Sequence, residues 1–122
     1  MTIKTLVTVA ALALVAVSLS SPALAGNAAV ITTVKRTMVT ADSTYGGCMA
    51  LLGTDPASLL PACGANWITF SCSGDFADPV RAYRMLDQAQ LALATGKRVR
   101  VVITDTSQHN GYCFTTRIEV IQ

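Results

Sequence analysis

The stretch DPVRAYRMLDQAQLALATG, residues 78–96, decides the fold class. Asp78 offers a carboxylate to cap a helix N-terminus, and Pro79 stands at the first helical position, where its missing N–H leaves nothing unpaired. Val80, Tyr83, Leu86, Ala89 and Leu93 then recur at spacings of three and four, while Arg81, Arg84, Asp87 and Gln88 fall elsewhere on the wheel. Thr95-Gly96 supplies a left-handed stop. The pattern predicts one helix of about four turns with the stripe Val80–Tyr83–Leu86–Ala89–Leu93 buried.

On both sides of this helix the period changes to two. Downstream, Val99, Val101 and Ile103 alternate with Arg98, Arg100 and Val102. A polar turn, Thr106 to Gly111, precedes a strand from Cys113 to Ile121 with Phe114, Ile118 and Val120 on one face. Upstream, Trp67 to Cys72 is a strand with Ile68, Phe70 and Cys72 opposite Trp67, Thr69 and Ser71. Asp55-Pro56 opens a helical turn that runs through Leu60 and is stopped by Pro61. Cys48 to Leu52 is a short strand. Residues 29–39 are rich in β-branched side chains and form the first strand, with Val30, Val34 and Met38 on one face and Lys35 on the other. Thr40 to Gly47 has the composition of a surface loop.

The order is therefore β-β-β-α-β-β, mainly β with one helix and no internal repeat. That string fits a five-stranded OB-fold barrel whose helix plugs one open end. An open α+β sheet covered by the helix fits it too.

The N-terminus has the three parts of a secretory leader. Lys4 is the positive segment, Leu6 to Val17 the apolar segment, and Ala23-Leu24-Ala25 a small-x-small cleavage site. Residues 1–25 are read as a cleavable signal peptide and 26–122 as the domain, in a secreted or periplasmic protein. A retained anchor is the alternative, but the apolar run is well short of the roughly 20 residues that span a bilayer. No membrane span is expected after cleavage. The remaining chain keeps all seven acidic residues and every basic residue except Lys4. Such a balance gives no electrostatic case for nucleic acid or anionic lipid. Arg98, Arg100 and Arg117 make at most a small basic stripe, with too few aromatics for a stacking groove. Four cysteines, at 48, 63, 72 and 113, favour two disulfides in an exported chain. None has the spacing of a zinc knuckle, and a single His109 adds little, so no metal or cofactor is expected.

Cys48 and Cys63, then Trp67-Ile-Thr-Phe-Ser-Cys72, the helix end Leu91-Ala-Leu-Ala-Thr-Gly96, and Val99-Arg-Val-Val-Ile-Thr form an ordered series. Together with Val30-Ile31-Thr32 it resembles the family of subtilase cytotoxin B subunits and their small bacterial homologues, across most of the chain after the leader. The resemblance implies an OB-fold protomer, a homo-oligomeric ring of five, a glycan-binding ring surface and a separate catalytic A-chain docked on it. The chain departs from the family in having only Gly26 to Ala28 before the first strand, with Asn27 where a hydroxyl-bearing residue is expected, and in ending at Gln122 without the family's extended tail. The resemblance also carries over the bridge Cys48–Cys63, which leaves Cys72–Cys113 between strands three and five. The alternation places Cys113 opposite Phe114, so that second bridge needs a bulge or strand end to turn Cys113 inward.

OB-folds commonly bind ligands with the loops between strands one and two and between four and five, over the face of strands two and three. This nominates Asp42, Ser43 and Tyr45, then His109, Asn110 and Tyr112, with Trp67 on the face between, as candidate glycan-binding residues. They combine hydrogen-bonding groups for hydroxyls with aromatic surface for the apolar side of a sugar ring. Asp, Ser and Asn also simply make turns, and Trp67 equally suits a core or a subunit interface. Asp105, Ser107 and His109 lie in one short loop, where they are better explained as turn formers than as a catalytic triad. The expected function is non-enzymatic: a secreted binding module, toxin B-subunit-like, that recognises a cell-surface glycan or docks a partner chain. The alternative is a periplasmic interaction or inhibitor protein without sugar recognition.

Overall fold

The computed structural model describes residues 25–122; the leader predicted at residues 1–25 lies, but for Ala25, outside the described residues. Five strands form a closed barrel: β1 (Asn27–Val39), β2 (Cys48–Leu52), β3 (Trp67–Thr69), β4 (Arg98–His109) and β5 (Tyr112–Ile121). Their spatial order is β1-β2-β3-β5-β4, with β4 returning to β1. All pairs are antiparallel except β3 with β5, which meet in parallel at Thr69 and Phe114. Among the described residues one α-helix, α1 (Pro79–Thr95), lies in sequence between β3 and β4 and packs chiefly on β1 and β5. This is the expected OB-fold-like barrel with β-β-β-α-β-β order, and the open-sheet alternative is excluded by closure.

The barrel closes because β1 serves two partners. Residues 27–33 pair with β4, and Val34 to Val39 pair with β2. A register shift between Val34 and Arg36 adds a residue at the corner and bends the strand. The bulge reverses the faces beyond it. Val34 enters the core with Val30 against it, but Met38 now pairs with Met49 on the outside. The expected shared face of Val30, Val34 and Met38 holds only for the first two. A second register shift, between Val102 and Ile103, does the same to β5. Ile118 and Val120 pack against the core and Cys113 lies in it, whereas Phe114 turns outward onto Phe76, ring centroids 5.7 Å apart.

The helix is capped as expected. Asp78 accepts from the N–H groups of Val80 and Arg81, and Gly96 ends the helix at φ 67°. Its buried stripe is different: Ala82, Leu86, Ala89 and Ala92, with Met85 half-buried. Only Leu86 and Ala89 of the expected five are buried. Val80 is 66% exposed, Tyr83 45% and Leu93 40%. Alanines let the helix backbone approach the barrel closely, so small size rather than hydrophobic bulk selects the buried face. Beneath it lie Val34, Leu52, Ile68, Phe70, Val99, Val101 and Ile103.

The disulfides are Cys48–Cys72 and Cys63–Cys113, with Cα separations of 5.5 Å and 5.2 Å. Both expected bridges, Cys48–Cys63 and Cys72–Cys113, are therefore corrected. β3 ends at Thr69, and Ser71 takes a left-handed conformation at φ 60° that turns the chain back across the start of β2. Phe70 N–H donates to the Cys48 carbonyl and Ser73 N–H to that of Gly46, which sets Cys72 beside Cys48. Cys113, turned inward by the β5 bulge, meets Cys63 because Gly64 N–H donates to the Gly111 carbonyl at 2.7 Å. That contact clamps the long β2–β3 connection onto the β4–β5 hairpin. Its other end is held by Asp55, whose carboxylate accepts from Ala57 and from Asn66.

Candidate functional site

Residues that pair across adjacent strands share a face. Met38–Met49–Thr69 and Leu51–Trp67 form the outer face of β1, β2 and β3, while Ala50 and Ile68 face the core. Two tyrosines close over this outer face. Tyr45 comes from the β1–β2 loop and Tyr112 from the first residue of β5, and their rings meet edge to face at 5.8 Å. The result is a cleft of about 210 Å³ lined by Met38, Tyr45, Met49, Trp67 and Tyr112. No lining side chain carries a charge. Its polar side-chain groups are two phenol hydroxyls and one indole N–H, on a surface of thioethers and rings.

Each wall is fixed by contacts outside the cleft. The Thr69 hydroxyl donates to the Tyr45 carbonyl at 2.8 Å and anchors the β1–β2 loop to β3. At Gly64 a Cβ would stand 2.8 Å from the Tyr112 ring, so the absence of a side chain there makes room for Tyr112. Gly46 has φ 78°, and a Cβ there would meet His109 at 2.5 Å.

Three of the seven sequence-nominated residues, Tyr45, Trp67 and Tyr112, thus line one cleft. The other four are placed differently. Asp42 accepts from Thr44 N–H at 2.9 Å, the turn-forming role open to it. With Ser43 it borders a separate polar depression of about 180 Å³, which Thr40, Ser73 and Tyr83 also line. Asn110 is an exposed turn residue at φ 50°. His109 is buried: its Nε2 lies 2.9 Å from the Ser71 hydroxyl and 3.7 Å from Asp75, and its ring packs on Phe76 at 4.5 Å. Because Ser71 Oγ already accepts from Phe76 N–H, its proton is free to point at Nε2. Ser71 and Asp75 approach the same ring nitrogen, and Ser71 is fully buried. In a triad the acid holds the opposite nitrogen, so this group is a clasp between β4 and the 70–78 loop.

Met38 and Met49 line the cleft as well, and the sequence points to neither. Sequence parity puts Met38 inside, and only the β1 bulge brings it out; Met49, in a five-residue apolar strand, carries no signal of its face. Among the described residues no three His, Cys, Asp or Glu side chains are grouped to hold a metal ion, and no helix is long and apolar enough to cross a membrane. No protein-family model matches the chain, and neither a curated protein nor a solved structure matches it significantly. The two disulfides are compatible with an extracellular or periplasmic site.

Proposed function

We propose that this protein is a secreted or periplasmic, non-enzymatic binding module that takes up a cell-surface glycan through the Tyr45–Trp67–Tyr112 cleft. The carrying observation is that three aromatic side chains from separate elements converge on one depression over β2 and β3. Aromatic rings pack on the C–H face of a pyranose, and phenol and indole groups at the edge reach its hydroxyls. The uncharged lining favours a neutral sugar over an acidic one. The resemblance to subtilase cytotoxin B subunits points the same way. It further supports assembly into a pentamer and docking of a catalytic A-chain on the ring.

A glycan array on the exported protein tests the reading. Wild-type protein gives signals confined to neutral glycans, and Trp67→Ala loses them while its thermal unfolding stays cooperative. Equal array signals for both proteins would refute it. Light scattering that returns a monomer mass at high micromolar concentration would remove the ring while leaving the cleft. A protein-docking function without sugar recognition is favoured by a different observation: Val80 and Leu91 stand exposed on the outward face of α1, beside half-exposed Tyr83. An array with no signal, from a protein that retains a protein partner during purification, would support that reading.

A further inference from the structure

Gly26 immediately precedes the first β1–β4 pair, Asn27 with Thr104, and is held at both ends. Its N–H donates to Asp105 Oδ1 at 2.7 Å. Its carbonyl accepts from Asp105 N–H at 3.2 Å and from the Thr104 hydroxyl at 3.3 Å. The Thr104 hydroxyl is itself held by Thr106 at 2.8 Å, and Gln108 Nε2 donates to the Asp105 carbonyl at 3.1 Å. Asp105 is half-buried, and among the described residues no Lys, Arg or His forms an ion pair with it. A carboxylate without a cation therefore faces the nitrogen of the residue that follows the Ala23-Leu24-Ala25 cleavage motif. Ala25 is exposed.

We propose that Asp105 is the receiving site for the α-ammonium created when the leader is removed. The inference rests on the reading of residues 1–25 as a cleavable leader and is independent of the cleft. A leader peptidase hydrolyses the Ala25–Gly26 amide. The oxygen of water goes to the Ala25 carbonyl carbon, which leaves as a carboxylate, and both water protons end on the Gly26 nitrogen as –NH3+. The carboxylate already makes this hydrogen bond charge-assisted, and turning its amide donor into an ammonium adds an ion pair to it. The Gly26–Asp105 distance already falls in the range of such a bond. Processing thus adds an ion pair at the end of the β1–β4 ladder of a barrel that is already closed. Pairing with any other start would put the ammonium out of reach or leave an amide in its place.

The test uses the exported protein. Intact mass should show a chain starting at Gly26. Selective acetylation of that amine then removes the charge and leaves an amide, and Asp105→Asn removes the carboxylate. In urea unfolding, acetylation should shift the folding equilibrium of the Asp105 protein toward unfolded by about five- to tenfold. Asp105→Asn should shift it at least as far, and acetylating that variant should add nothing. A start at another residue would refute the leader reading. A start at Gly26 with equal acetylation effects in the two proteins, or none in either, would refute the role of Asp105.

Discussion

On the outer face of the β4–β5 half, Arg100 and Arg117 flank Glu119, whereas on the outer face of the β2–β3 half Met49 and Trp67 lie beside Met38 under two tyrosines. The two halves share one core but are stabilised differently. β4 and β5 are long strands of 12 and 10 residues whose ladder holds itself, so their outer face needs only solvated charge. β2 and β3 have five and three residues, too short to hold register alone. Their connections are tied instead by Cys48–Cys72, Cys63–Cys113 and the His109–Ser71 bond. A short-stranded region pinned from outside can present an apolar surface where the longer ladder carries the Arg100–Glu119–Arg117 cluster. The cleft lies on the pinned half.

The largest expected effect breaks the pinning. Replacing Cys63 and Cys113 together by serine opens a loop of 50 residues, for which chain entropy gives about 4 kcal/mol. Urea unfolding should show that loss. Next, Leu86→Ala should cost about 2–5 kcal/mol through a cavity in the shared core. Val80→Ala, on the outward face of the same helix, should stay within about 0.5 kcal/mol. Equal losses would show that the helix is rotated from the position described. His109→Ala should cost about 1–3 kcal/mol by leaving the buried Ser71 hydroxyl without its acceptor. It should also loosen Tyr45, whose neighbour Gly46 packs on the imidazole. Hydrogen exchange in the 40–47 loop measures that loosening. Arg100→Ala, on the charged half, should change stability by at most about 1 kcal/mol and leave ligand binding untouched.

Local chemistry made much of this legible from sequence. Asp78-Pro79 and Gly96 bound the helix where the capping rules place them, β2 spans the expected Cys48–Leu52, and Asp55 caps its turn. Each depends on residues within a few positions. The misread features depend on distant ones. Met38 and Phe114 change faces because bulges add a residue to β1 and β5, and no single residue announces a bulge. The cysteines pair according to where Ser71 turns the chain and where Gly64 meets Gly111, contacts set by barrel closure. The helix buries Ala82 and Ala92 rather than Val80 and Leu93 because its distance from the barrel, invisible in a periodicity, rewards small side chains. For the site, the aromatic nominations converge and the polar ones do not. Asp42 and Asn110 serve turns, and His109 serves the interior.

Trp67 is the only tryptophan in the chain, and it lines the cleft. Its emission therefore reports occupancy of the site without a label. Titrating the purified protein with a neutral oligosaccharide selected on the array should shift Trp67 emission saturably. The midpoint should match the affinity found by calorimetry, and Arg100→Ala should leave it unchanged while Tyr112→Ala abolishes it. Calorimetric binding with no change in Trp67 emission, or a shift that survives Tyr112→Ala, would contradict the assignment of the cleft.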